Sequence, residues 1–152
     1  YLIGFEWSNT KIKYPVTIGI EAVDTRSAHT TNGFCGPNTI YNNSIYDYIN
    51  YGRLIGAEIG TESTSLELFG KSKLSQKLDI RYSTKLVTIN DSNWSNHQLS
   101  SKRQSGLISS LGISWLKNKI SLNGDIYNQG YSLDKAAIKR GFGIGFSSSI
   151  KF

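Results

Sequence analysis

The last twelve residues restrict the fold of this chain more than any other stretch. From Phe142 to Phe152 one parity carries Phe142, Ile144, Phe146, Ile150 and Phe152, with Ser148 the exception, and the other carries Gly141, Gly143, Gly145, Ser147, Ser149 and Lys151. Successive side chains on a strand point to opposite faces, so this pattern predicts a strand lying between two different media. The same two-residue period recurs upstream. Ile120, Leu122 and Ile126 alternate with Ser121, Asn123 and Asp125, and Leu107, Leu111, Ile113 and Trp115 with Ser110, Gly112 and Ser114. Leu78, Ile80, Tyr82 and Leu86 alternate with Lys77, Asp79, Arg81, Ser83 and Lys85. Leu66 and Leu68 belong to a strand expected to reach back toward Arg53, and Tyr1, Ile3, Phe5 and Trp7 form another. The sum is roughly six strands of about ten residues, the length that crosses a bilayer when tilted. The fold expected is all-β and antiparallel. No run of apolar residues approaches the length of a spanning helix, so any crossing of a membrane falls to strands.

The connections sort by length. Gln129 to Lys139 is long, Lys117 to Lys119 tight, Asn90 to Lys102 long, Lys71 to Gln76 short, and Thr10 to Gly52 very long. Outer-membrane barrels alternate in this way, because their periplasmic turns are short and their external loops long. A soluble sandwich has no reason to sort loops by parity. Within the longest connection Tyr14 to Ala22 also alternates, through Val16, Ile18 and Ile20, and reads either as a hairpin arm of the loop or as a separate strand.

The polar parity supplies a third constraint. Lys77, Asp79, Arg81 and Lys85 share one row, and such charges cannot face an apolar core unpaired without large cost. They are expected to face a polar lumen, or else to form the solvated side of an open sheet. Abundant Ser, Asn and Gly beside 12% aromatic residues suit strands with one apolar face. The formal net charge of +6 favours acidic partners, unless it merely solvates the surface. Cys35 is the single cysteine, so no disulfide closes within the chain.

Six strands leave two open edges, and unpaired backbone groups cannot face lipid. Bacterial single-chain barrels start at about eight strands. The expectation is therefore the C-terminal part of one larger transmembrane β-barrel of outer-membrane type, a chain that opens at Tyr1 without a Met and carries one long external loop over about residues 10–52.

The segment Gly141 to Phe152 resembles the terminal strand of outer-membrane proteins, which ends in an aromatic residue and is read by the barrel assembly machinery. Phe146, Ile150 and Phe152 are the assembly-signal residues that this likeness implies. A narrower likeness lies upstream. Tyr41-Asn42-Asn43-Ser44-Ile45-Tyr46, Tyr51-Gly52-Arg53-Leu54-Ile55-Gly56 and Phe5-Glu6-Trp7-Ser8-Asn9-Thr10 resemble the capsule-assembly Wzi family, with Asn43 and Asn9 standing where that family has His and Asp. The resemblance implies an outer-membrane barrel lectin. Its expected partners are capsular or other surface polysaccharide, acidic polymers included, together with outer-membrane lipid and the assembly machinery. Nucleic acid is not expected, nor is a cofactor.

The loop residues fit sugar recognition. Tyr41, Tyr46, Tyr48 and Tyr51 offer faces for pyranose C–H patches, and Asn42 and Arg53 offer partners for hydroxyls or acidic groups. The same tyrosines serve equally to pack the loop, and Arg53 equally to pair with Glu58 or Asp47. Trp94 and His97 in the next long connection extend a sugar surface, or Trp94 joins an aromatic girdle. Catalytic and metal sites are not expected: His29 and His97 lack ligand spacing, and the glycines from Gly141 to Gly145 lack dinucleotide-binding spacing. Two alternatives remain, a porin or substrate channel built on the charged row, and a phospholipase using His97 with a Ser.

Overall fold

The alternation persists as seven long strands. The computed structural model describes residues 1–26, 49–50, 53–54, 59–117 and 120–150, with only the backbone at 49, 50, 53, 54 and 117. Strands β1 (Leu2–Asn9), β2 (Val16–Asp24), β5 (Thr64–Ser75), β6 (Leu78–Ile89), β7 (Gln104–Lys117), β8 (Ile120–Gln129) and β9 (Gly141–Ile150) form one antiparallel sheet in chain order. Two short strands, β3 (Ile49–Asn50) and β4 (Arg53–Leu54), pair only with each other. No helix occurs among the described residues. The sheet is not closed: β1 and β9 are its edges.

Two expectations change. Residues 16–24 form β2, paired in register with β1 on one side and β5 on the other, so this segment is a strand rather than loop, and the long connection begins after Asp24 rather than at Thr10. The reason is its partners: Ile18 and Ile20 stand opposite Trp7 and Phe5, continuing their apolar row. Arg53 lies in β4 and not in an extension of β5, because Ile59 to Ser63 turn away before β5 starts at Thr64. Loop parity survives both changes, since an inserted strand brings one short turn and one long connection. The turns after β1, β5 and β7 share one end of the sheet, and the long connections after β2, β6 and β8 share the other.

Register determines what each face carries. One face carries Phe5, Ile20 and Leu68 in register on β1, β2 and β5, and Tyr82, Leu111, Ile126 and Ile144 in register on β6 to β9, with Thr84 opposite Leu68 and Gly70 opposite Tyr82 where the two rows meet. Among the described residues these side chains meet no second layer: Phe5 is 68% exposed, Phe146 86% and Ile144 57%. Where this face lacks a side chain an aromatic ring leans in, as Tyr82 does over Gly70, where a Cβ would lie 2.5 Å from the ring.

The opposite face is polar over most of its length. Only towards the long-connection end does it gain a core, in which Ile59, Val87, Ile89, Tyr131 and Leu133 are the buried hydrophobics among the described residues. Val23, Leu99 and Ile108 pack against them. Gly106 allows this approach, since a Cβ there would lie 2.8 Å from the Gly130 backbone. The connections after β6 and β8 thus fold inward over the polar face and leave the apolar face bare.

Candidate functional site

Three regions carry chemistry: the bare apolar face, the charged polar face, and the cap built by the long connections. Tyr41, Asn42, Tyr46, Tyr48 and Tyr51 lie outside the described residues, as does Phe152. Arg53 stands opposite Asn50 in the β3–β4 pair. Phe146 and Ile150 lie on the apolar face of β9 and are exposed.

Three of the four residues of the charged row share the polar face. Asp79, Arg81 and Lys85 point away from the apolar face, but Lys77 does not join them; it sits in the two-residue turn between β5 and β6, its N–H donating to the Ser75 Oγ at 3.1 Å. A turn residue has no fixed parity, which is why alternation misplaces it. Lys85 pairs with Glu67 at 2.9 Å, directly across the β5–β6 pair. Arg81 reaches Asp125 at 3.5 Å by crossing β7 at Gly112, where a Cβ would lie 2.5 Å from Asp125 Oδ1. A larger residue at 112 would require the Asp125 carboxylate to shift.

The cap is fastened by buried polar groups. His97 is fully buried; its Nε2 lies 2.8 Å from the Thr61 carbonyl, and its Nδ1 lies 3.2 Å and 3.4 Å from the N–H groups of Leu99 and Ser100. This pattern fits a ring that donates from Nε2 and accepts at Nδ1, the tautomer being inferred from partners. His97 therefore joins the segment before β5 to the connection after β6. It leaves no ring nitrogen open to a sugar or a serine, against its expected part in a binding surface. The N–H groups of Leu99 and Ser100 gain a partner in this way, because a buried N–H left unpaired costs about 1–3 kcal/mol, and the Thr61 carbonyl accepts from the Ser63 hydroxyl as well.

Asn90 does similar work. Buried and at φ 56°, a left-handed conformation that Asn tolerates, it donates to the carbonyls of Trp94 and Ser100 at 2.8 and 3.0 Å and accepts from the Trp94 N–H at 2.7 Å. Trp94 is consequently half-buried in the cap, and its Nε1 is buried without a hydrogen-bond partner among the described residues. Thr25 and Ser63 exchange backbone and hydroxyl bonds, and Lys135 donates to the carbonyls of Ser95 and His97.

Charges tie the rim together. Asp24, Arg26, Asp91 and Arg103 alternate in a chain of ion pairs from β2 to the start of β7, and the two carboxylates hold the Arg26 guanidinium well above its usual range. Asp134, on the connection after β8, accepts from both the Ser101 hydroxyl (2.6 Å) and the Ser101 N–H (3.1 Å). These bonds, the hydroxyl first, hold its carboxyl well below the usual carboxylate range. A lowered folded pKa contributes stability that is whole above the unfolded value and is lost progressively as pH falls from there through the folded one, while the carboxylate in the folded state stays ionised down to its own lowered value. The Ser101 amide should accordingly keep its protection from hydrogen exchange as pH falls through about 4. Loss of protection already near that pH would show that the Asp134 clasp does not persist in solution.

Compared with known proteins, the sequence matches no family model, no curated protein and no solved structure. The functional reading therefore rests on the two faces, the sorted connections and the residues they carry.

Proposed function

We propose that this chain is part of a β-barrel in a bacterial outer membrane, and that the protein acts as a surface lectin holding capsular polysaccharide. The observation that carries the barrel is the bare apolar face, continuous across seven strands and opposite a charged one. Monomeric soluble proteins rarely expose apolar patches beyond a few hundred Å². Acyl chains would cover this face, and further strands would pair the edges at β1 and β9. Gathering of every long connection at one end supports an external side there.

The lectin reading is supported by the aromatic and amide residues between Tyr41 and Arg53, in the longest of those connections, and by their resemblance to the capsule-assembly family. The channel alternative has the polar row in its favour. Against it, the cap packs onto the polar face at the long-connection end, and Arg81 and Lys85 are engaged by carboxylates. A phospholipase would need a free imidazole edge, and His97 offers none.

The test uses cells carrying Tyr46→Ala, Tyr51→Ala and Arg53→Gln together. A few anchor residues dominate a binding surface, each costing about 2 kcal/mol or more on truncation. Capsule should be shed into the medium while barrel abundance in outer membranes stays normal. Full capsule retention at normal abundance would remove the lectin reading and leave the barrel standing.

A further inference from the structure

The basic balance of the chain is not spread evenly. Lys11, Lys13, Lys71, Lys73 and Lys77 all lie at the short-turn end, where Asp79 is the nearest carboxylate in sequence to the turn between β5 and β6. On the polar face at this end a cleft of about 490 Å³ is lined by Lys71, Lys73, Asp79 and Arg81, together with Ser8 and Thr17.

Register makes this cleft electrostatically unusual. Thr17, Lys71 and Arg81 stand directly opposite one another on β2, β5 and β6. Like charges facing across a strand pair are destabilising, with Cβ atoms only about 4.5–5.5 Å apart. The one comparable pair on this face, Glu21 and Glu67, is relieved by Lys85 at 2.9 Å from Glu67. Among the described residues no carboxylate pairs with Lys71 to bridge it to Arg81; Asp79 stands opposite Lys73, and Glu6 lines an adjoining hollow with Lys71 and Arg81. Arg81 turns toward Asp125, away from Lys71, and among the described residues neither Lys71 nor Lys73 has a carboxylate within 4.0 Å. Beside them the hydroxyls of Ser8 and Thr17 share a hydrogen bond of 2.9 Å.

We propose that this cleft binds a carboxylated sugar, with Lys71 and Lys73 taking the carboxylate and Ser8, Thr17 and Asp79 taking hydroxyls. An anion beside Lys71 offsets its repulsion with Arg81, and charge-assisted bonds to it are about twice as strong as neutral ones. A saccharide fits better than a lipid headgroup because the cleft opens on the polar face, whereas acyl tails would lie against the other. The site is at the opposite end from the long connections, so it is separate from the surface proposed above.

The native protein in detergent, titrated calorimetrically with oligogalacturonate, tests this directly, with neutral maltodextrin of equal length as comparison. Oligogalacturonate should bind, more weakly as salt is raised, and maltodextrin should not. Lys71→Gln with Lys73→Gln should weaken binding by about tenfold or more. Lys102→Gln with Lys139→Gln removes the same charge at the other end and should leave affinity unchanged. Affinity that survives the first pair, or falls equally in the second, overturns the proposal. So does binding of phosphatidylglycerol vesicles in place of the sugar, which would assign the lysines to headgroups. Capsule retention does not enter this readout, so failure of the surface-lectin reading leaves it intact.

Discussion

Replacing Leu111 with Arg should stop the protein accumulating in the membrane, whereas Ser110→Arg, one residue away, should leave accumulation near normal. Leu111 lies near the middle of β7, on the bare face, between Tyr82 and Ile126 in register. If acyl chains cover that face, a guanidinium at this depth costs about 2–4 kcal/mol, comparable to a large share of a domain's whole stability. Ser110 points to the polar side, opposite Ser83 and 3.0 Å from its hydroxyl. An Arg there loses one hydroxyl bond, about 1 kcal/mol, and enters surroundings that already hold Arg81 and Lys85. The contrast is sharp because water would reverse it. On a solvated surface Leu→Arg changes stability by only about 0.5 kcal/mol and improves solubility. Outer-membrane fractions from cells expressing each variant, probed for a band that shifts on heating, give the answer. An Arg at 111 that assembles as well as one at 110 would mean that the apolar face is not in lipid.

How far the sequence alone led follows from where side-chain period governs structure. Along β6 to β9 the alternation of Leu78 to Leu86, Leu107 to Trp115 and Phe142 to Ile150 determines both element type and facing, because each strand has one apolar and one polar neighbour. Strand β2 was ambiguous for a physical reason: Val16 to Ala22 alternates no less clearly, yet its place depends on pairing with Phe5 and Leu68, far away in sequence. Lys77 escaped because a turn breaks parity. The cap was the least legible part. His97, Asn90, Glu62 and Ser100 are polar residues in connections, the composition of exposed loops, and nothing in their spacing marks them as buried. Asn90 alone carried a hint, since Asn-Asp-Ser after a strand is turn-forming and Asn readily takes positive φ. The partners of His97 are backbone groups of residues 61, 99 and 100, which no side-chain pattern encodes.

That arrangement implies a large effect from a single substitution in the cap. His97→Ala should unfasten the long-connection end while leaving the seven-stranded sheet intact. The substitution strands the N–H groups of Leu99 and Ser100, each worth about 1–3 kcal/mol if left unpaired in the interior, and takes one of two donors from the Thr61 carbonyl, the Ser63 hydroxyl at 2.7 Å remaining. It also opens a cavity where a fully buried ring stood. Some of the penalty will be recovered by water entering, so about 3–5 kcal/mol is the range expected for loss of such a network. The loss should be local, because the sheet's own ladders do not run through His97. Hydrogen exchange should therefore accelerate at Leu99 and Ser100, whose N–H groups donate to the ring, and proteases should cut between β6 and β7, with amides at the centres of β6 and β7 still protected. His97→Gln, which keeps a donor and an acceptor on a shorter side chain, should recover part of the protection. A catalytic His97 predicts something else: both substitutions abolish ester hydrolysis by purified protein, and the cap stays closed in each. Unchanged exchange at Leu99 and Ser100 in His97→Ala would show that the ring does not hold this connection.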